Sequence, residues 1–315
     1  MLALDPTKKR VEICVTPPGV RDFLHRAVEA GGGRVVADPA AAEALVWTGP
    51  NDPEGLRDAL RRNPELRWVQ LPWAGIEPYL SVLDQQRIWT AGQGVYAVEV
   101  AEHALALILG GLRDLKKRAA ATHWQPPSGL SLHGKKVTVL GAGGITRELD
   151  KLLAPFGVEL TVVRRRTEPF AGVRGNARVV PFAQRIRALQ DADVVVLALA
   201  LTDETRRCMG WAELACMQPH AWLINVARGG HVDTQALVDA LQNRRIGGAA
   251  LDVTDPEPLP DAHPLFSLDN CLITPHCANT PAMAVPVLSA RVQENVRRYL
   301  AGEPLLGIVD VAAGY

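Results

Sequence analysis

Residues 136–146 read Lys-Val-Thr-Val-Leu-Gly-Ala-Gly-Gly-Ile-Thr, and this stretch decides the fold. The apolar, β-branched segment Lys136–Leu140 predicts a buried strand, a glycine turn follows, and a helical pattern begins immediately after it. Strand, glycine turn and helix in that order form the setting in which a Gly-x-Gly turn cradles a dinucleotide pyrophosphate. Gly141 is expected to permit the tight turn and Gly143 to let backbone N–H groups approach the phosphates. Gly144 and Ile145 then open a helix whose N-terminus faces the phosphate charge. The third glycine of the G-x-G-x-x-G fingerprint is replaced by Thr146. The helix is therefore expected to stand slightly further from the strand, or to pack the threonine in the glycine's place.

About 20 residues beyond the turn, an acid at the end of the second strand would serve the ribose hydroxyls of NAD. This chain reads Val162-Val163-Arg164-Arg165-Arg166 there. Guanidinium groups bind a 2′-phosphate that an acid would repel. The run predicts NADP in preference to NAD, with Arg165 as the principal contact; a solvated basic loop is the competing reading.

Outward from the turn, strands are expected at Glu159–Val163, Val179–Phe182, Val194–Leu199, Trp222–Ala227, Gly248–Val253 and Cys271–Thr274. Helical segments separate most of them, which predicts a doubly wound sheet. The first hundred residues alternate in the same way, with strands at Val11–Thr16, Arg34–Ala37, Ala44–Trp47 and Trp68–Leu71 and helices at Arg21–Ala30 and Pro53–Arg62. A long helix is expected over Val98–Leu115, a connection over Thr122–Gly129, and one more helix over Ala282–Leu300.

The 315 residues, 48% of them hydrophobic, suit about two domains. A formal net charge of zero argues against a nucleic-acid partner. No stretch reaches the roughly 20 apolar residues of a membrane span, and the opening MLALDPTKKR lacks the apolar core of a secretory signal. The five cysteines are scattered and odd in number, which points to reduced thiols and a cytoplasmic setting. The eight histidines show no metal-ligand spacing, so no metal is expected.

Three ionisable residues fall just beyond successive strand ends: Arg228 after WLINVA, Glu257 after GAALDV and His276 after CLIT. Ligands of open α/β sheets sit at those ends. An arginine fork grips a carboxylate and polarises a neighbouring ketone. A histidine supplies or removes the proton, and a carboxylate stabilises its imidazolium. Taken singly, each residue is more often a plain loop side chain; their joint placement gives the pattern weight.

The segments VTVLGAGGI, ADVVVLALALTDETR, INVARGGHVDTQALVDAL, GGAALDVTDPEPLPDAHPLF and LITPHCANT, with the earlier VAEHALALILGGLRDL and LRWVQLPWAGIE, resemble the D-isomer-specific 2-hydroxyacid dehydrogenase family. The resemblance implies NAD(P)-dependent interconversion of a 2-oxo acid and a D-2-hydroxy acid, with Arg228, Glu257 and His276 catalytic. It implies that Asp252 holds the nicotinamide amide, that Ala227 borders the cofactor, and that backbone N–H groups of Trp73, Ala74 and Gly75 meet the substrate carboxylate beside Arg228. The implied fold is α/β: a Rossmann doubly wound nucleotide-binding domain (104–280) inserted into a flavodoxin-like substrate domain built from 1–103 and 281–315. A homodimer with the active site in the cleft is also implied. Ala200 departs from a common proline, which, with Thr146, bears on the cofactor region. His103 is given a packing or interface role, and His133 and His263 turn and loop roles.

Within this family a glyoxylate- or hydroxypyruvate-type reductase is the expected activity. The alternatives are phosphoglycerate dehydrogenase-like oxidation with NAD and a non-catalytic, nucleotide-sensing corepressor-like protein. The stretch LPWAGIEPYL has no basic residue to receive a phosphate, and Glu257 argues against the formate dehydrogenase branch, which pairs its histidine with glutamine.

Overall fold

The structure, a computed structural model, describes residues 10–165 and 172–314. The chain packs as two compact units, one running to Tyr96 and resuming at Thr280, the other Ala97–Asn279.

The first unit comprises β1 (Glu12–Thr16), α1 (Phe23–Ala30), β2 (Arg34–Val36), β3 (Ala44–Trp47), α2 (Pro53–Arg62), β4 (Trp68–Gln70) and β5 (Ile88–Thr90). Its sheet is parallel in the order β2-β1-β3-β4-β5, the flavodoxin-like arrangement. All four residues of β3 are buried, because both sheet faces are covered. Leu45 and Trp47 pack with Leu56, Ala59 and Leu60 of α2 on one face. Ala44 and Val46 pack with Leu24 and Val28 of α1 on the other. β5 has no counterpart in the sequence reading, since only Ile88 and Trp89 of it are apolar and a charged Arg87 precedes them.

The second unit comprises α3 (Ala97–Leu112), α4 (Leu115–Ala119), β6 (Lys136–Leu140), α5 (Gly144–Leu153), β7 (Glu159–Arg164), β8 (Arg178–Pro181), α6 (Arg185–Gln190), β9 (Val194–Leu197), α7 (Trp211–Cys216), β10 (Trp222–Asn225), α8 (Thr234–Gln242), β11 (Gly248–Leu251), α9 (Pro264–Ser267) and β12 (Cys271–Ile273). Among the described residues, seven parallel strands run in the order β12-β11-β10-β9-β6-β7-β8. This is the doubly wound order with its switch point between β9 and β6. Strand period assigns alternate residues to the two helical layers. Val194, Val196 and Ile224 pack with Leu107 and Ile108 of α3, while Val195, Leu197 and Leu223 pack with Leu189 of α6 and Leu237 of α8. β9 and β10 stop two residues earlier than their apolar runs, at Leu197 and Asn225, and the remaining residues turn into the loops that carry the site.

The chain then re-enters the first unit as α10 (Pro281–Ala301), whose Leu288, Val292 and Val296 recur at helical spacing and complete the α1 face. A buried polar network ties this return to the sheet. Asn295 Nδ2 donates to Gln70 Oε1 (2.9 Å) and Leu306 O (3.0 Å), its Oδ1 accepts from Leu306 N (2.8 Å), and Gln70 Oε1 also accepts from Thr90 Oγ1 (2.9 Å). Among the described residues no helix is long and apolar enough to cross a membrane, and the five cysteines are free thiols.

Candidate active site

The turn after β6 is built as its glycines demand. Gly141 has φ +115°, its N–H donates to Val163 O (2.8 Å), and an added Cβ would lie 2.0 Å from Ala198 O. No residue with a side chain fits there. At Gly143 an added Cβ would meet nothing within 4 Å, so the backbone is open to a ligand. Gly143 precedes α5, whose first-turn N–H groups have no acceptor within the helix. Open backbone and helix-terminal donors fit a pyrophosphate. Thr146 is 1% exposed and donates through Oγ1 to Gly141 O (3.0 Å). The threonine thus packs where the glycine was due and braces the turn. Arg164 closes β7 half-buried, and Arg165 follows it exposed; Arg166 lies outside the described residues.

The loops after β10, β11 and β12 carry the three ionisable residues. Asn225, the last residue of β10, donates to Arg228 O (2.9 Å) and accepts from Ala227 N (3.1 Å), which fixes the backbone over 225–228. The Arg228 side chain is half-buried and donates to Ala227 O (2.7 Å). Behind it, an added Cβ on Gly229 would lie 1.9 Å from Thr254 O, so the Arg228 loop packs directly on the loop that carries Glu257.

Glu257 and His276 meet. His276 Nδ1 lies 2.6 Å from Glu257 Oε1, and both side chains are about half exposed. The hydrogen bond from His276 holds the Glu257 carboxyl below its usual range, with burial opposing it and the His276 charge, the Thr254 N–H and the Arg228 charge adding to it. The same bond raises His276, against burial and the charge of Arg228. Each partner therefore favours the charged form of the other. His276 sits at φ +51°, a backbone region uncommon outside glycine.

Asp252 holds the His276 loop in that conformation. Its backbone oxygen accepts from His276 N (2.8 Å), Oδ1 from Cys277 N (2.9 Å) and Thr274 Oγ1 (2.6 Å), and Oδ2 from Ala278 N (3.1 Å). His103 Nε2 lies 3.2 Å from Oδ1 and 3.0 Å from Thr274 Oγ1. Burial pushes the Asp252 carboxyl upward, but the bonds from His103, Thr274, Cys277 and Ala278 outweigh it and hold the group at about 2. The family resemblance assigns Asp252 to the nicotinamide amide; in the structure its carboxylate is 2% exposed and directed at the 274–278 loop. His103, Asp252 and Cys277 bring potential metal-ligand atoms within 4.8 Å of one another, yet both Asp252 oxygens already accept protein donors. Sequence reasoning placed His103 in packing and missed this cluster.

In the first unit, Trp73 is half-buried, Ala74 exposed and Gly75 half-buried. The guanidinium of Arg21 lies over the Trp73 ring, 4.0 Å from its centroid. Arg21 is 8% exposed, and its Nη1 approaches Pro72 O at 3.5 Å. Tyr96 OH also donates to Pro72 O (3.1 Å), and Gly92 N donates to Trp73 O (2.7 Å). The loop LPWAGIEPYL contains no cation of its own, but the fold supplies one.

Comparison with known proteins follows the same lines. The family described as D-isomer specific 2-hydroxyacid dehydrogenase, NAD binding domain, matches residues 103–278. The chain is 37% identical over 311 residues to an uncharacterized protein of the proB 3′ region of Corynebacterium melassecola, covering 95% of this chain and 98% of that one. It is 29% identical over 293 residues to glyoxylate/hydroxypyruvate reductase A of Serratia proteamaculans, covering 88% and 89% of the two chains. Among solved structures, a D-isomer specific 2-hydroxyacid dehydrogenase of Xanthobacter autotrophicus Py2 in complex with NADPH and MES is similar, with a TM-score of 0.83, 28% identity, and 98% of this chain and 100% of that one covered.

Proposed function

From its place in the D-isomer specific 2-hydroxyacid dehydrogenase family, to which this chain belongs as an NAD(P)-dependent oxidoreductase, we propose that it reduces a small 2-oxo acid such as glyoxylate or hydroxypyruvate, with Arg228, Glu257 and His276 as its catalytic residues. The observation that carries this reading is the 2.6 Å contact between His276 and Glu257. A histidine raised by its bond to a carboxylate keeps its proton to higher pH than a free imidazole, as a general acid for reduction requires.

Gly141, Gly143, Gly144 and Ile145 would hold the pyrophosphate, Arg164, Arg165 and Arg166 a 2′-phosphate, and Ala227 the nicotinamide end; the Asp252 carboxylate, engaged by Thr274, Cys277 and Ala278, is given a positioning role in place of a nicotinamide contact. The bound nicotinamide supplies or accepts the hydride. Arg228 binds the substrate carboxylate through its fork and draws electron density from the neighbouring carbonyl. Backbone N–H groups of Trp73, Ala74 and Gly75 are proposed as further carboxylate donors. His276 delivers the proton that the reduced carbonyl oxygen needs and regains one from solvent, and the Glu257 carboxylate stabilises the imidazolium so formed. In oxidation the same histidine accepts the proton. The arginines after β7 support NADPH, hence the reductive direction. A homodimer located in the cytoplasm belongs to the same proposal.

One observation favours a second reading. Arg21, stacked on Trp73, removes the argument that a phosphate-bearing substrate would find no cation near this loop. That reading is oxidation of a phosphorylated 2-hydroxy acid with NAD. The test is a panel of glyoxylate, hydroxypyruvate and other 2-oxo acids with NADPH and NADH, run beside 3-phosphoglycerate with NAD and NADP. Turnover confined to 3-phosphoglycerate would replace the first reading with the second. A Glu257→Gln or His276→Ala chain that loses turnover while binding NADPH separates an enzyme from a nucleotide sensor.

A further inference from the structure

Three consecutive backbone N–H groups, those of His276, Cys277 and Ala278, donate to one residue, Asp252. The loop after β12 therefore rests on the residue that follows β11, whose backbone oxygen takes the His276 N–H and whose carboxylate takes the next two. What holds Asp252 in turn is Thr274 and, from α3, His103.

The proton on His103 follows from its partners. The Asp252 carboxylate is ionised and only accepts hydrogen bonds. The single hydroxyl proton of Thr274 is committed to it at 2.6 Å. Thr274 Oγ1 can then only accept from His103 Nε2, so that nitrogen carries the hydrogen and shares it between Thr274 (3.0 Å) and Asp252 (3.2 Å).

We infer that His103 is a positioning residue for the proposed reaction: its Nε2–H locks Thr274 and Asp252 into the clamp that sets the 276–278 backbone and thereby keeps the His276 ring against Glu257. This rests on the catalytic roles proposed for His276 and Glu257. Asp252 is buried, so water cannot take the place of a lost donor. The positive φ of His276 is uncommon for a residue with a side chain, and the Asp252 contacts hold the residues that follow it in place. Partners behind a proton-transferring group fix its orientation in the way outer partners fix a metal-bound histidine. The charged and titratable groups around His276 are Glu257, Arg228, Asp252 and Cys277. His103 meets Asp252 and Cys277 from the strand ends and has Glu99 and Glu102 on its own helix.

The test uses the full-length protein as His103→Leu, which removes the donor while keeping apolar bulk, and His103→Gln, whose amide nitrogen can replace Nε2. The first readout needs no substrate: the titration of His276 followed by NMR of histidine-labelled protein. Wild-type His276 is expected to titrate above 6.5, the leucine variant lower than wild type, and the glutamine variant near wild type. The second readout is kcat with the 2-oxo acid that is turned over. A fall of roughly 10–100-fold is expected for leucine, with KM and NADPH affinity within about twofold, and recovery with glutamine. Should the leucine variant not fold, Thr274→Val breaks the same clamp and is expected to shift His276 in the same direction. An unmoved His276 titration in a folded leucine or valine variant, or no recovery with glutamine, overturns the inference. If Glu257→Gln shifts His276 and His103→Leu does not, His103 alone is wrongly assigned. If neither shifts it, the catalytic pairing itself falls.

Discussion

His276 Nδ1 stands 2.6 Å from Glu257 Oε1, although the two residues arrive on separate loops from neighbouring strands. The pair predicts a pH profile. Reduction needs His276 protonated, so the rate is expected to hold at low pH and fall as pH rises through the raised value of His276. Glu257→Gln removes the main cause of that rise. The alkaline limb should move toward lower pH, with kcat down by about 10²-fold. Initial rates from pH 5 to 10 check both.

The same pair makes a stability prediction of defined sign. His276 is raised, so its contribution is complete below the unfolded value of 6.5 and disappears as pH rises through the folded one. Glu257 is lowered, so its contribution is present above 4.5 and disappears as pH falls through the folded value. The gap in Tm between wild type and Glu257→Gln is expected to be widest between pH 4.5 and 6.5. Solvent screens both half-exposed groups, which limits the effect to about 1 kcal/mol or less. Thermal scans across that range test it.

Arg228→Lys keeps the charge and loses the planar fork. A fall in kcat/KM of about 10²–10³-fold is expected, with NADPH affinity unchanged. An equal loss of cofactor affinity would place Arg228 on the nucleotide instead of the substrate.

Arg165→Ala removes an exposed guanidinium just past β7. The kcat/KM for NADPH is expected to fall about 10–100-fold, the worth of one charged hydrogen bond, while that for NADH stays within about twofold. Parallel rates with the two cofactors decide it.

Two backbone and core positions give further expectations. Gly229→Ala sets a methyl 1.9 Å from Thr254 O and must part the Arg228 and Glu257 loops; kcat/KM should drop about 10²-fold or more. Asn295→Leu strips Leu306 N of its acceptor and Gln70 of a donor in the buried network. A cost of about 2–3 kcal/mol is expected, read as a fall in Tm of roughly 5 °C or more.

What the sequence disclosed follows from the range of the forces involved. The glycine turn at 141–144 and the strand ends before Arg228, Glu257 and His276 are written in a few adjacent residues, because strand period, turn geometry and helix start are local. β5 was illegible because its apolar part is only Ile88-Trp89, between Arg87 and Thr90, whereas the runs at β2 and β12, Val35-Val36-Ala37 and Cys271-Leu272-Ile273, have three apolar residues each. His103 meets Thr274 across 171 residues, and Arg21 meets Trp73 across two strands of the sheet order. Such pairs exist only once helices are seated on sheets, so no spacing in the chain announces them. Thr146 was half legible: a departure from glycine was plain, and the hydroxyl bond to Gly141 that compensates for it was not.

The first unit begins the chain yet depends on α10, whose Leu288, Val292 and Val296 close one face of its sheet. On the ribosome, all of residues 97–279 emerge before that helix does. The later-starting unit can finish folding first, while the strands made earliest wait with an apolar face uncovered. An exposed half-sheet during synthesis is where association with other chains begins. Truncation ahead of Pro281 would make that passing state permanent.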